Sequence, residues 1–158
     1  RRILTTSNEG AIRFWDPATG LETGPAVPGI HQVDEVRFSP DGRWFVAAEY
    51  DPSFFSRPAQ LWSVSAGQKV GPPLAHQDGT VSCAFSRDGS VVATGGEDGT
   101  ARIWRVPTGE PLTPMMTHEN KVRQVLFSAD GTLLATRTQN GAVRLWDAAT
   151  GSPVMESC

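Results

Sequence analysis

Cysteine is scarce in this chain, with two among 158 residues. Cys83 falls at an apolar position of an alternating segment and Cys158 is the last residue, so the two form no disulfide framework and Cys83 reads as a small buried hydrophobe. That usage fits a reducing compartment, and a cytoplasmic location is the expectation. A dominant charge is lacking too: 14 Lys and Arg stand against 17 Asp and Glu, for a net charge of −3, and no basic block occurs. This argues against a surface that neutralises phosphates, so no nucleic-acid partner is expected. No apolar run approaches the ~18 residues that cross a bilayer and no signal-peptide core is present, so no membrane partner is expected either. Helical periodicity of useful length is missing throughout. The chain opens on Arg1 rather than Met, and the expectation is a piece of a longer protein.

Catalytic spellings are also missing. There is no nucleophile elbow, zinc-protease helix, P-loop or paired-cysteine motif. His31, His76 and His118 lie 45 and 42 residues apart. Such spacing puts them in separate repeats, far beyond the ~2 Å reach of one metal ion. Asp41, Asp88, Asp98 and Asp130 recur in the same way, which disfavours a paired general acid and base. No enzyme activity, cofactor or metal is expected.

What is present is one phrase said four times. Segments spelled Ile-Arg-Phe-Trp-Asp16, Gln-Leu-Trp-Ser63, Ala-Arg-Ile-Trp-Arg105 and Val-Arg-Leu-Trp-Asp147 put tryptophans at 15, 62, 104 and 146, separated by 47, 42 and 42 residues. A period of roughly 40–45 residues closing on a Trp-Asp pair marks a four-stranded propeller blade. The third unit is the cleanest. Thr80 to Ser86 alternates polar and apolar residues, as a half-buried strand does. Ser86-Arg-Asp-Gly89 then offers the positive backbone angle of a hairpin turn. Ser90 to Thr94 is a short β-branched run suited to a strand covered on both faces. Glu97-Asp-Gly-Thr100 is a second hairpin turn, and Ala101 to Trp104 a third strand. The proline-bearing segment Glu110 to Pro114 can only be an edge strand, because proline donates nothing to a ladder. The expected organisation is all-β, an arc of about four four-stranded antiparallel blades over residues 1–30 (truncated, starting inside its second strand), 31–75, 76–117 and 118–158.

These residues resemble the WD40-repeat family. The supporting spellings are Phe-Ser-Pro-Asp-Gly42, Gly-Glu-Asp-Gly-Thr100, the four Trp endings and the Thr-Gly pairs ending at Gly20, Gly109 and Gly151. Trp-Asp-Ala-Ala-Thr-Gly151 and Gly-Pro-Pro-Leu74 look like bacterial members, in which such arrays often follow other domains, Ser/Thr protein kinases among them. The resemblance implies a structural tetrad of His, Ser/Thr, Asp and Trp within a blade. His76, Thr94, Asp98 and Trp104 match it, at separations of 18, 4 and 6. His118, Thr136, Asn140 and Trp146 repeat the spacing with Asn for Asp, so the fourth unit is expected to hold a weaker version. The first keeps Thr5 and Trp15 with Glu9 at the Asp position. In the second, Ala47 takes the Thr position and extra residues around Phe54 and Phe55 precede Trp62, so the tetrad is expected to be broken. That diphenylalanine loop reads either as folded onto the blade edge or as an apolar contact for a partner. Trp44 reads as core.

The family also places partners on the upper face of the ring. Carried over by register, that face comprises Asn8, Gln32, Asp34, Gly79, Val81, Glu97, Lys121, Arg123 and Gln139. The leading functional expectation is a non-enzymatic scaffold for protein or peptide contacts, in which a few anchors carry most of the energy. The alternative is a regulatory or recognition segment of a larger bacterial enzyme such as a Ser/Thr kinase. A propeller normally closes on itself. An arc this short is therefore expected to join further blades of its own chain, or to self-associate through its open edges.

Overall fold

The computed structural model describes residues 2–6, 11–24, 26–28, 33–49 and 57–156. Asn8, Glu9, His31, Gln32, the Phe54-Phe55 loop and Cys158 lie outside the described residues, and Asp34 is placed by its backbone only.

All regular structure among the described residues is strand, in four antiparallel sheets that do not close into a ring. The first holds β1 (Ile3–Thr6), β2 (Ala11–Trp15) and β3 (Val27–Pro28), in that order. The second holds β4 (Val33–Phe38), β5 (Trp44–Glu49), β6 (Ala59–Ser63) and β7 (Gln68–Leu74). The third holds β8 (Thr80–Phe85), β9 (Val91–Gly96), β10 (Thr100–Arg105) and β11 (Met116–Thr117). The fourth holds β12 (Val122–Phe127), β13 (Leu133–Thr138), β14 (Val143–Asp147) and β15 (Pro153–Glu156). The same register repeats in the last three: Phe38 faces Phe45, Phe85 faces Val92 and Phe127 faces Leu134, each inner strand carrying a bulge near its start.

The inner hairpin turns are built alike from their sequence. The hydroxyls of Ser39, Ser86 and Ser128 each donate at 2.6 Å to the carboxylate two residues on, at Asp41, Asp88 and Asp130. The same carboxylates accept the backbone N–H of Arg43, Ser90 and Thr132. These bonds hold all three acids below the usual carboxylate range, Asp130 at about 2. Turn chemistry thus accounts for the recurring Asp-Gly pairs.

The edge strand of the third sheet is displaced from the expected Glu110 to Pro114. Only an isolated bridge between Trp104 and Pro111 falls there, and the ladder resumes at Met116–Thr117. Pro111 and Pro114 have no N–H to give. Thr113 fills in, its hydroxyl accepting the Ile103 N–H and its carbonyl accepting from the Arg102 guanidinium. Trp44 also departs from expectation: it is half-buried beside an open cavity.

Apolar residues gather between sheets. Ile12, Phe14 and Val27 meet Phe45, Ala47 and Trp62 between the first and second. Val46, Leu61 and Leu74 meet Cys83, Val92 and Trp104 between the second and third. Ala93, Ile103 and Met116 meet Val125, Leu134 and Trp146 between the third and fourth. The period of two along a strand does this: Phe45 and Ala47 point one way and Val46 the other. Polar ties run alongside. The Ser82 hydroxyl accepts the buried Val125 N–H at 3.3 Å, and the Glu35 carboxylate accepts that of Cys83.

Candidate functional site

A buried polar chain crosses the third sheet. Trp104 donates its indole N–H to the Thr94 hydroxyl at 2.8 Å, and that hydroxyl lies 2.7 Å from His76 Nε2. His76 Nδ1 is 2.8 Å from the Thr100 hydroxyl, which itself donates to Asp98 Oδ1 at 2.7 Å. Neutral imidazole with its proton on Nδ1 satisfies every partner: Thr94 donates to Nε2 and Nδ1–H donates to Thr100. Burial lowers the His76 pKa, against the opposing pull of Asp98. Burial by itself would raise Asp98. The Thr100 hydroxyl and the backbone N–H groups of Gln77 and Thr100 outweigh it and hold the acid ionised. His76, Thr94, Asp98 and Trp104 therefore stand together, joined through Thr100, which the spacing did not single out. Gly96 leaves the room for it, since a Cβ there would sit 2.6 Å from both the His76 ring and Asp98 Oδ1.

The fourth sheet keeps half of this chain. Trp146 donates to Thr136 at 2.9 Å and His118 Nε2 lies 2.7 Å from the same hydroxyl. Asn140 is not brought to the histidine; its Oδ1 accepts the Thr138 hydroxyl at 2.5 Å. Thr138 occupies the place of Gly96 and Ala142 that of Thr100, so the side chain that would bridge ring and amide is missing. His118 Nδ1 instead donates to the Gly99 carbonyl at 3.2 Å, across to the third sheet. Burial lowers its pKa as well. In the first sheet Trp15 donates to Thr5 at 2.8 Å. In the second, Ala47 offers no hydroxyl, and the buried Trp62 N–H has no hydrogen-bond partner among the described residues. Trp62 is held by stacking on Phe45, 5.8 Å between centroids, with Lys69 over its other face.

Of the nine surface residues expected from register, Gly79, Glu97, Lys121, Arg123 and Gln139 are brought together across the third and fourth sheets. Lys121 Nζ lies 2.8 Å from Glu97 Oε2 and Arg123 3.5 Å from Glu97 Oε1. Arg123 also donates to Gln139 Oε1 at 2.9 Å, and the Gln139 N–H donates to the Lys121 carbonyl at 2.9 Å. The Gly79 carbonyl accepts the Glu97 N–H at 2.9 Å, which fixes the turn that carries the acid. The Lys121 hydrogen bond is the main reason Glu97 titrates below its ordinary value. Glu97, Lys121 and Arg123 keep 36–43% of their side-chain surface exposed, so the cluster is open to a partner. Val81 is half-buried at the start of β8, and Asp34 lies on β4 of the second sheet. Among the described residues no three His, Cys, Asp or Glu side chains gather to hold a metal ion.

The family model "WD domain, G-beta repeat" matches residues 68–105 and 109–147. This is a WD40-repeat chain. It is 33% identical over 96 residues to the mouse WD repeat and SOCS box-containing protein 1, an overlap of 60% of this chain and 22% of that protein. It is 27% identical over 104 residues to the target of rapamycin complex subunit wat1 of Schizosaccharomyces pombe, covering 63% of this chain and 31% of that one. The chain thus spans less than a third of the length of either of these relatives. Among solved structures, the computationally designed Ika8 protein superposes with a TM-score of 0.80 at 23% identity, over 98% of this chain and 45% of the other, a likeness of fold alone.

Proposed function

We propose that this chain is a non-catalytic WD40 scaffold that binds a protein or peptide on the loop ends where its third and fourth sheets adjoin. The observation that carries the reading is the meeting of half-exposed, charged Glu97, Lys121 and Arg123 with the exposed amide of Gln139 on those ends, on a backbone held by two stacked sheets. Side chains already ordered by one another lose little freedom on docking, which favours their use as anchors. A relative whose name makes it a subunit of a complex supports the same reading. The expected attachment to a bacterial kinase rests on sequence wording alone.

The test is quantitative capture of a partner by wild type and by Arg123→Glu. Exposed ion pairs contribute only ~0–1 kcal/mol to folding, so the melting temperature stays nearly unchanged. Recovery of the partner falls several-fold. Equal recovery at equal stability overturns the assignment of this surface.

A further inference from the structure

Two cations of the fourth sheet close on one acid of the third. Val122 is fully buried between those sheets, so Lys121 and Arg123 on either side of it turn outward. Arg123 is the extra residue of the bulge near the start of β12, and a bulge re-aims the side chain it carries. The Gln139 N–H, bonded to the Lys121 carbonyl at 2.9 Å, pins the segment there. Lys121 Nζ reaches Glu97 Oε2 at 2.8 Å and Arg123 Nη1 reaches Oε1 at 3.5 Å. Glu97 is thus a carboxylate already seated between two cations, and it shows the chemistry that the pair recognises. We propose that Lys121 and Arg123 form a carboxylate seat, in which an Asp or Glu of an acidic peptide segment in the partner takes the place of Glu97. This rests on the scaffold reading above and gives its partner a chemical class.

The seat is open and only partly filled. Lys121 spends one donor on Glu97 and Arg123 directs one to Gln139, while an ammonium and a guanidinium each carry more N–H groups than that. An exposed ion pair is weak and screened by solvent, so one carboxylate replaces another at little cost.

The neighbouring acids leave the seat to that occupant. Asp98 is turned inward, its carboxylate accepting from the Thr100 hydroxyl and from the N–H groups of Gln77 and Thr100, with 9% of the side chain exposed. Glu119 lines the same shallow hollow of about 260 Å³ as Glu97 and Lys121, yet neither cation reaches it. A third positive charge, on Arg57 just ahead of β6, also acts on Glu97.

The experiment titrates two fluorescent peptides into the protein at low salt, one alternating Glu with Ser and the other Gln with Ser. Anisotropy reads the affinity, and the side-chain NMR signals of Lys121 and Arg123 locate the contact. The Glu peptide binds at least about tenfold tighter than the Gln peptide, and its binding weakens as salt rises. Glu97→Gln empties the seat and tightens the Glu peptide roughly fivefold. Glu119→Gln makes the same change in net charge beside the seat and tightens it less than about twofold. Four results overturn the proposal: equal binding of the two peptides, shifts confined to other residues, no gain from Glu97→Gln, or an equal gain from Glu119→Gln. Capture of the partner by Arg123→Glu keeps this inference apart from the scaffold reading. If capture falls while the Glu peptide fails to bind, the surface stands and its acidic class does not; if capture is unchanged, the surface itself is wrong. The expected result for Glu97→Gln is a gain of binding, which a folding defect cannot imitate.

Discussion

Thr94 is the residue on which most of the polar chain depends. It takes the indole proton of Trp104 and gives its own to His76. Thr94→Ala leaves two buried groups without partners and costs about 2–4 kcal/mol, read by chemical denaturation. The reverse substitution is available in the second sheet, where the Trp62 N–H has no described partner and Ala47 stands in the equivalent place. Ala47→Ser supplies an acceptor and raises stability by roughly 1 kcal/mol; a lower melting temperature would refute that account of Trp62. Gly96→Ala drives a methyl into His76 and Asp98, an overpacking that costs about 1–3 kcal/mol. The histidines set a pH dependence. Both folded values lie below the ordinary 6.5, so the unfolded chain takes up protons first and stability falls as pH drops below about 6.5. The turn carboxylates are depressed from 3.8 and act in a separate, more acid window. Melting curves between pH 7.5 and 5 should flatten in a His76→Asn, His118→Asn double variant; an unchanged slope would show that other groups carry it.

At the scale of the element, the strands were legible because two signals agreed. Alternation marked Thr80 to Ser86, and the Ser-x-Asp-Gly turns bounded it, so β8, β9 and β10 fall close to where the pattern put them. The outer strand of the third sheet was misplaced because prolines announce an edge without saying where pairing resumes. Thr113, standing in as acceptor, delays that point to Met116. The site was half legible. Spacing named His118 and Asn140, but whether they meet depends on Thr138 and Ala142, residues with no motif of their own. Nor could spacing show Glu97 reaching Lys121 and Arg123, since that contact crosses from one repeat to the next. The Ser82 tie is of the same kind. Ser82→Ala leaves the buried Val125 N–H without its acceptor and costs about 1–2 kcal/mol. Its mark is faster hydrogen exchange at the Val125 amide, ahead of any change at the far strand β15. Equal exchange in the two proteins would mean the tie contributes nothing.

Across the whole molecule, three apolar interiors sit between neighbouring sheets, and no centre is shared by all four. The middle strands of the second and third sheets are party walls, since Phe45 and Val46, like Val92 and Ala93, belong to different rooms though adjacent in the chain. Stability then accumulates from neighbour to neighbour, as in other stacked repeats. Such a molecule has no reason to melt at a single temperature. It sheds its outermost slabs first, and two probes, one in an outer sheet and one in the middle, would report different midpoints along one denaturant titration.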